Sequence, residues 1–127
     1  RRIFFRSQAT RGDLGGMGRR TFAVTRLLRH LFDLVLIETV GIGQSEIDVT
    51  HLSDRTVLVM QPLAGDHVQF MKAGIMEVPD AFIVSKSDVG DAAASTFHSL
   101  RSALRLARPG RSPIRIEMAK VGSSGDD

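Results

Sequence analysis

Three loops in this sequence carry side chains that could bind a nucleotide. The first is ETVGIGQSE at residues 38–46, in which an acid and two glycines follow a run of apolar residues. The second is QPLAGDH at residues 61–67, and the third is SKSD at residues 85–88. If the runs before them are parallel strands, these loops lie at the carboxyl edge of the sheet, where such folds bind ligands. Polar loops are expected at any sheet edge, but an acid, a glycine pair and a Lys-x-Asp sequence together favour a nucleotide site.

The SKSD sequence is similar to the guanine-reading motif of GTP-binding proteins, which is (Asn or Thr)-Lys-x-Asp, with Ser85 in place of the usual Asn. The Asp88 carboxylate has two acceptor oxygens and can take both N–H groups of the guanine edge, whereas adenine would leave the acid unpaired. The Lys86 stem can lie along the face of the base. The alternative is a solvated turn after a strand, and a Lys-x-Asp sequence taken alone favours that alternative.

The ETVGIGQSE loop has the residue types expected around magnesium and a terminal phosphate. Glu38 could hold a magnesium-bound water, and the amide of Gly41 could approach a phosphate because glycine has no Cβ. An ordinary glycine turn is the alternative. A dinucleotide-binding interpretation also exists, because Gly41 and Gly43 begin a Gly-x-Gly-x-x-Gly sequence. It is weakened by Glu46, which stands at the third glycine position.

The elements that position these loops alternate between strand and helix. Predicted strands occupy residues 2–5, 33–38, 55–62, 81–85 and 114–119, and predicted helices occupy residues 21–31, 66–78 and 91–107. The three central strand runs lack alternation of apolar and polar residues, which is typical of strands buried on both faces. We expect Asp66 to cap the second helix and Pro79 to end it. The pattern predicts an α/β fold with a mainly parallel sheet and helices on both faces. One domain is expected at residues 1–120, followed by a polar tail at residues 121–127.

The composition excludes several classes of protein. The chain has 127 residues, a net charge of +3 and no cysteine. Disulfides, thiolate catalysis and zinc–thiolate sites are therefore excluded, and a cytoplasmic location is expected. No apolar run approaches the roughly 20 residues of a membrane span. The basic excess is small, and no predicted helix carries a basic stripe interleaved with aromatic residues. We therefore expect neither a membrane nor a nucleic acid as partner.

Three segments of the chain are similar to one family of proteins. They are FFRSQATRGDLGGMGRRT, DLVLIETVGIGQSEIDV and QPLAGDHVQFMKAGIMEVPDAFIVSKSD, and the similarity extends over about residues 2–90. They resemble the ArgK/MeaB family of methylmalonyl-CoA mutase-associated GTPases. The resemblance implies a partial P-loop NTPase fold of the SIMIBI type, with GTP or GDP and Mg²⁺ as ligands. It also implies a chaperone role for the adenosylcobalamin cofactor of methylmalonyl-CoA mutase. An older family name refers to arginine and ornithine transport.

The resemblance assigns a role to each candidate site residue. The catalytic positions are Glu38, which would also contact Mg²⁺ through water, Gly41 and Gln44. The nucleotide-binding positions are Ser85, Lys86 and Asp88. The positions that would act as switches or contact the mutase are Gly43, Glu46, Asp66 and Lys72. Met118 and Ala119 fall where the family has a Ser-Ala loop behind the base, so Met118 departs from the pattern.

The phosphate-binding loop of that family is not found in this sequence. No Gly-x-x-x-x-Gly-Lys-(Ser or Thr) pattern occurs, and the glycine-rich GDLGGMGRR at residues 12–20 lacks the Lys-Ser/Thr pair. The resemblance implies that the P-loop and first switch lie before residue 1. Because residue 1 is Arg and not Met, we expect this chain to be either a fragment of a longer protein or a decayed copy. We therefore expect no significant GTP hydrolysis by this chain alone.

Two expectations concern partners, and the first of them follows from the resemblance. Methylmalonyl-CoA mutase is the expected partner, and a homodimer is also expected. The alternative function is a non-catalytic protein-interaction module derived from the same fold, which would use residues 62–78 to contact its partner.

Overall fold

The computed structural model describes residues 3–7, 19–39, 47–62, 75–107, 109 and 113–120. The chain divides into two compact units, a first unit of Arg1–Asp54 and a second unit of Arg55–Asp127. A single domain over residues 1–120 stays a prediction, and the predicted tail at residues 121–127 lies outside the described residues.

The first unit contains one long helix, α1, at Arg19–Leu31, which confirms the helix predicted at residues 21–31. Basic side chains, including Arg29, lie in its last turn, where they interact favourably with the helix dipole. The amide of Phe32 donates to the carbonyl of Leu28 at 2.9 Å and extends the hydrogen bonding by one residue. A short 3₁₀ helix follows at Ile47–His51.

The prediction of strands in the first unit is wrong. Residues 3–5 and 33–38 are described and form no strand. In the second of these runs, Leu34 is 74% exposed and Leu36 is 85% exposed. A strand requires a neighbouring strand to satisfy its backbone groups. Among the described residues of this unit no strand is present to pair with them. Their apolar composition was therefore not sufficient to specify a buried strand.

The second unit is built on a three-stranded sheet. Its strands are β1 at Val57–Met60, β2 at Ala81–Val84 and β3 at Arg115–Met118, arranged in that order and all parallel. These strands confirm the predictions at residues 55–62, 81–85 and 114–119, with shorter bounds. The predicted α/β class with a parallel sheet is confirmed.

The helix predicted at residues 91–107 is confirmed as α2, Asp91–Ala107. Its buried side chains recur at helical spacing and form one apolar face. This face packs on the sheet together with the short 3₁₀ turn at Ile75–Glu77. Among the described residues, the core contains Met60, Met76, Phe82, Val84, Ala93, Leu100, Ala103 and Leu104.

The sheet is buried on one face more completely than on the other. Alternate residues such as Phe82 and Val84 point into the core, whereas Val57 is 47% exposed and Val59 is 58% exposed. The prediction that residues 55–62 are buried on both faces is therefore wrong for β1. The reason is the period of two in a strand, which directs Val57 and Val59 away from the core side chains.

Most of the predicted helix at residues 66–78 lies outside the described part of the chain. Residues 63–74 lie outside the described residues, and with them the predicted cap, Asp66. The described part of the prediction contains the 3₁₀ turn Ile75–Glu77. Pro79 is buried between this turn and β2.

A carboxylate at the amino end of the sheet joins β1 to β2. The Thr56 amide donates to Oδ2 of Asp80 at 2.8 Å, and the Asp80 amide donates to the Thr56 carbonyl at 2.8 Å. The Arg55 guanidinium also donates to Oδ1 of Asp80 at 3.1 Å. These reciprocal bonds align the starts of the two strands.

Candidate functional site

The parallel register brings the carboxyl ends of the three strands to one level. Met60 lies opposite Val84, and Val84 lies opposite Met118. The ladder continues one residue further, because the Ser85 amide donates to the Met60 carbonyl and the Ala119 amide donates to the Val84 carbonyl, each at 2.9 Å. The residues that follow the three strands are therefore neighbours.

The loop at residues 85–88 is fixed on both sides. The Ser85 hydroxyl donates to the Met60 carbonyl at 3.1 Å, so that carbonyl accepts both the amide and the hydroxyl of Ser85. On the other side, the Ser87 amide donates to the Ala119 carbonyl at 3.0 Å. Ser85 stands where the motif usually has Asn, and its hydrogen bonds give it a structural role. It joins the loop to the end of β1.

Between these two anchors the backbone of Lys86 is left-handed, with φ 53° and ψ 44°. Among the described residues other than glycine, Lys86 alone has a positive φ. This conformation costs about 1 kcal/mol or more for a residue with a Cβ. It persists where hydrogen bonds of the neighbouring residues hold the backbone in place. The bonds of Ser85 and Ser87 do so here. Strained backbone of this kind is often found at binding sites.

The two charged side chains of the motif are both exposed. Asp88 lies in the 3₁₀ turn Ser87–Val89 that follows Lys86. The ammonium of Lys86 donates to Oε1 of Gln61 at 2.9 Å, which links the motif to the residue directly after β1. A carboxylate with two acceptor oxygens and an aliphatic stem with a charged end therefore lie two residues apart on one loop. This pair can bind a planar group that has two N–H donors on one edge.

The sequence analysis did not identify the contact between Gln61 and Lys86. The two residues are 25 positions apart, and only the strand register makes them neighbours. The position of Gln61 directly after a strand was the one available signal. The role of Asp80 at the opposite edge was missed for the same reason, because its partners are 24 and 25 residues away.

Of the other predicted site residues, the structure describes only Glu38. Glu38 lies in the first unit and is exposed. The predicted residues that lie outside the described residues are Gly41, Gly43, Gln44, Glu46, Asp66 and Lys72. Their proposed roles stay predictions.

The described residues supply only part of the ligand set of a magnesium ion. The described residues contain no group of three or more His, Cys, Asp or Glu side chains that could hold a metal. Mg²⁺ commonly keeps several waters and uses one or two carboxylates together with substrate phosphates. A single exposed carboxylate such as Glu38 fits a contact of that kind, made through water, and does not form a metal site by itself.

No helix in the described part of the chain is long and apolar enough to cross a membrane.

Comparison with known proteins relates nearly the whole chain to one family. A family model described as "Methylmalonyl Co-A mutase-associated GTPase MeaB" matches residues 1–126. A protein of Pyrococcus horikoshii that is provisionally named a GTPase is 43% identical over 129 residues, which cover 97% of this chain and 40% of that protein. A Caenorhabditis briggsae protein named as a mitochondrial methylmalonic aciduria type A homolog is 40% identical over 112 residues, which cover 85% of this chain and 27% of that protein. A mouse protein of the same name is 42% identical over 86 residues, which cover 67% of this chain and 21% of that protein.

The chain spans less than half the length of each of these relatives. The family match extends over nearly all of its residues and agrees with the parallel sheet described above. The resemblance seen in the sequence is confirmed, and the chain belongs to the MeaB family of methylmalonyl-CoA mutase-associated GTPases.

Proposed function

We propose that this chain supplies the guanine-recognition and switch part of a GTPase that assists adenosylcobalamin-dependent methylmalonyl-CoA mutase. The observation that supports it best is the loop at residues 85–88. It is anchored to the ends of two strands, holds Lys86 in a left-handed conformation and carries the exposed carboxylate of Asp88. A rigid loop with this pair of side chains suits the recognition of a guanine edge.

Each predicted residue has a part in this proposal. Asp88 accepts the two N–H donors of guanine, while the Lys86 stem lies along the base. Glu38 contacts Mg²⁺ through a water, and the amide of Gly41 meets the terminal phosphate, beside Gln44. Mg²⁺ bound with GTP would neutralise charge on the phosphates. The residues that would report the nucleotide state to the mutase are Gly43, Glu46, Asp66 and Lys72.

Two further parts of the proposal concern location and assembly. A cytoplasmic location is supported by the absence of cysteine, which is compatible with a reducing compartment. A homodimer remains a prediction. The provisional GTPase name of the archaeal relative supports the guanine nucleotide, and the family description supports the mutase as partner.

The replacement Asp88→Asn tests the guanine site. An amide offers one acceptor and one donor, which mismatches guanine and matches the additional carbonyl of xanthine. The test protein joins the P-loop segment of a MeaB-family member to Arg1, so that phosphate binding is supplied. Isothermal titration calorimetry should show GDP binding weakened about tenfold or more, since an unsatisfied polar group costs about 1–3 kcal/mol. Binding of XDP should strengthen.

Asp33→Asn is the matched control, because Asp33 is an exposed carboxylate in the first unit. It should change neither the affinity for GDP nor the affinity for XDP. If Asp88→Asn left the GDP affinity at the level of this control, Asp88 would not read the base. The proposed guanine site would then be wrong, whatever the activity of the fusion protein.

A further inference from the structure

Gln61 occupies a rigid position at the edge of the sheet. It follows the last residue of β1, Met60, which is buried in the core, and it precedes Pro62, which is also buried. The side chain of Gln61 itself is exposed. An exposed amide held between two buried residues has little backbone freedom, so the direction in which its side chain leaves the sheet is set by the fold.

Lys86 is constrained by its backbone but not by packing. Its backbone is held in the left-handed conformation, and its side chain is exposed. A lysine has four rotatable side-chain bonds, and an exposed one samples many rotamers. The contact that limits this freedom in the structure is the 2.9 Å hydrogen bond from Nζ to Oε1 of Gln61.

We infer that Gln61 is a positioning residue, which holds the Lys86 side chain in the direction needed to lie along a purine base. This inference rests on the proposed guanine site. Gln61 does not read the base, because its Oε1 accepts a hydrogen bond from the ammonium group at the end of the Lys86 side chain. By holding the Lys86 side chain, Gln61 reduces the conformational entropy that this side chain loses when a nucleotide binds. Its loss should therefore weaken the binding of different purines by the same factor, whereas loss of Asp88 should change the preference among them.

The test uses the 127-residue chain with GMP and IMP as probes, because neither nucleotide has the β- and γ-phosphates that a P-loop would bind. Binding is followed by NMR from the amide signals of residues 85–88. Gln61→Ala should weaken both nucleotides about threefold, the change expected for one solvent-exposed hydrogen bond, with an unchanged ratio of the two affinities. Gln61→Glu keeps the acceptor and the chain length, and it should retain wild-type affinity.

Two more measurements separate positioning from a structural role. NMR relaxation of the Lys86 Cε group should show greater motion in Gln61→Ala than in the wild-type chain. The melting temperature of Gln61→Ala should equal that of Ser102→Ala, a control on the exposed face of α2. In the Lys86→Ala background, Gln61→Ala should have no further effect on binding, since the two residues would act as one unit.

The outcomes distinguish this inference from the function on which it rests. If GMP does not shift the signals of residues 85–88 in the wild-type chain, or if Lys86→Ala leaves binding unchanged, the guanine site is wrong and the inference is wrong with it. If Lys86→Ala weakens binding and Gln61→Ala does not, the guanine site stands and the inference alone is overturned. An unequal loss of GMP and IMP in Gln61→Ala would also overturn it, because Gln61 would then contact the base.

Discussion

The apolar runs at residues 34–37 and 81–84 have similar compositions and opposite environments. The first, LVLI, forms no strand, and two of its four side chains are more than 70% exposed. The second, AFIV, is the central strand of the sheet, and two of its side chains, Phe82 and Val84, are completely buried. Their amino-acid sequences give no reason for this difference.

The difference lies in what surrounds each run. β2 has a parallel neighbour on each side, and α2 contacts it from the face that carries Phe82 and Val84. Among the described residues of the first unit, no strand is available to residues 34–37. Hydrophobic composition makes burial favourable, but backbone pairing decides whether a short run becomes a strand.

The strongest test of this comparison makes the same substitution in both units. Leu100→Ala removes a side chain with 0% exposure from the core of the second unit, and Leu36→Ala removes one with 85% exposure from the first. The free energy of unfolding should fall by about 2–5 kcal/mol for Leu100→Ala. It should change by no more than about 0.5 kcal/mol for Leu36→Ala. Urea denaturation followed by circular dichroism measures both. Equal losses would mean that Leu36 is buried in solution and that the comparison fails.

A second test asks how far backbone conformation, in addition to burial, stabilises the second unit. Gly90 has φ +72° directly before α2, and a Cβ built there meets no atom within 4 Å. Gly90→Ala therefore adds strain without a clash, and the free energy of unfolding should fall by about 1–2 kcal/mol. Ser102→Ala, on the exposed face of α2, is the control and should change it little. Stability equal to that of the control would show that Gly90 adopts a negative φ in solution.

The smallest expected effect concerns the pairing at the amino edge of the sheet. Asp80→Ala removes the acceptor of the Thr56 amide and should lower the free energy of unfolding by about 1 kcal/mol. Arg55→Ala should cost less, because the Arg55 side chain is largely exposed and surface ion pairs contribute little. Thermal melts in low and high salt measure both. A loss for Arg55→Ala as large as that for Asp80→Ala, and removed by salt, would assign the effect to the ion pair.

The elements with strong periodic patterns could be predicted from the sequence. The helices α1 and α2 and all three strands of the sheet lie where the patterns indicated. The guanine-type motif was found because its residues are adjacent in the chain. The left-handed Lys86 and its bond to Gln61 could not be predicted, since they depend on the register between strands 25 residues apart. The environment of residues 33–38 was missed because strand pairing is a property of neighbours and not of the run itself.

The level carboxyl edge of the sheet also limits which changes in chain length the site can accept. Each strand residue advances the backbone by about 3.3 Å and reverses the face of its side chain. A deletion within β2 would displace Ser85 from the Met60 carbonyl by that distance and turn the side chains that follow it to the opposite face. Insertions between the end of α2 and the start of β3 would leave this alignment intact. The number of residues in each strand, more than the identity of any one of them, therefore decides whether the loops after β1, β2 and β3 remain neighbours.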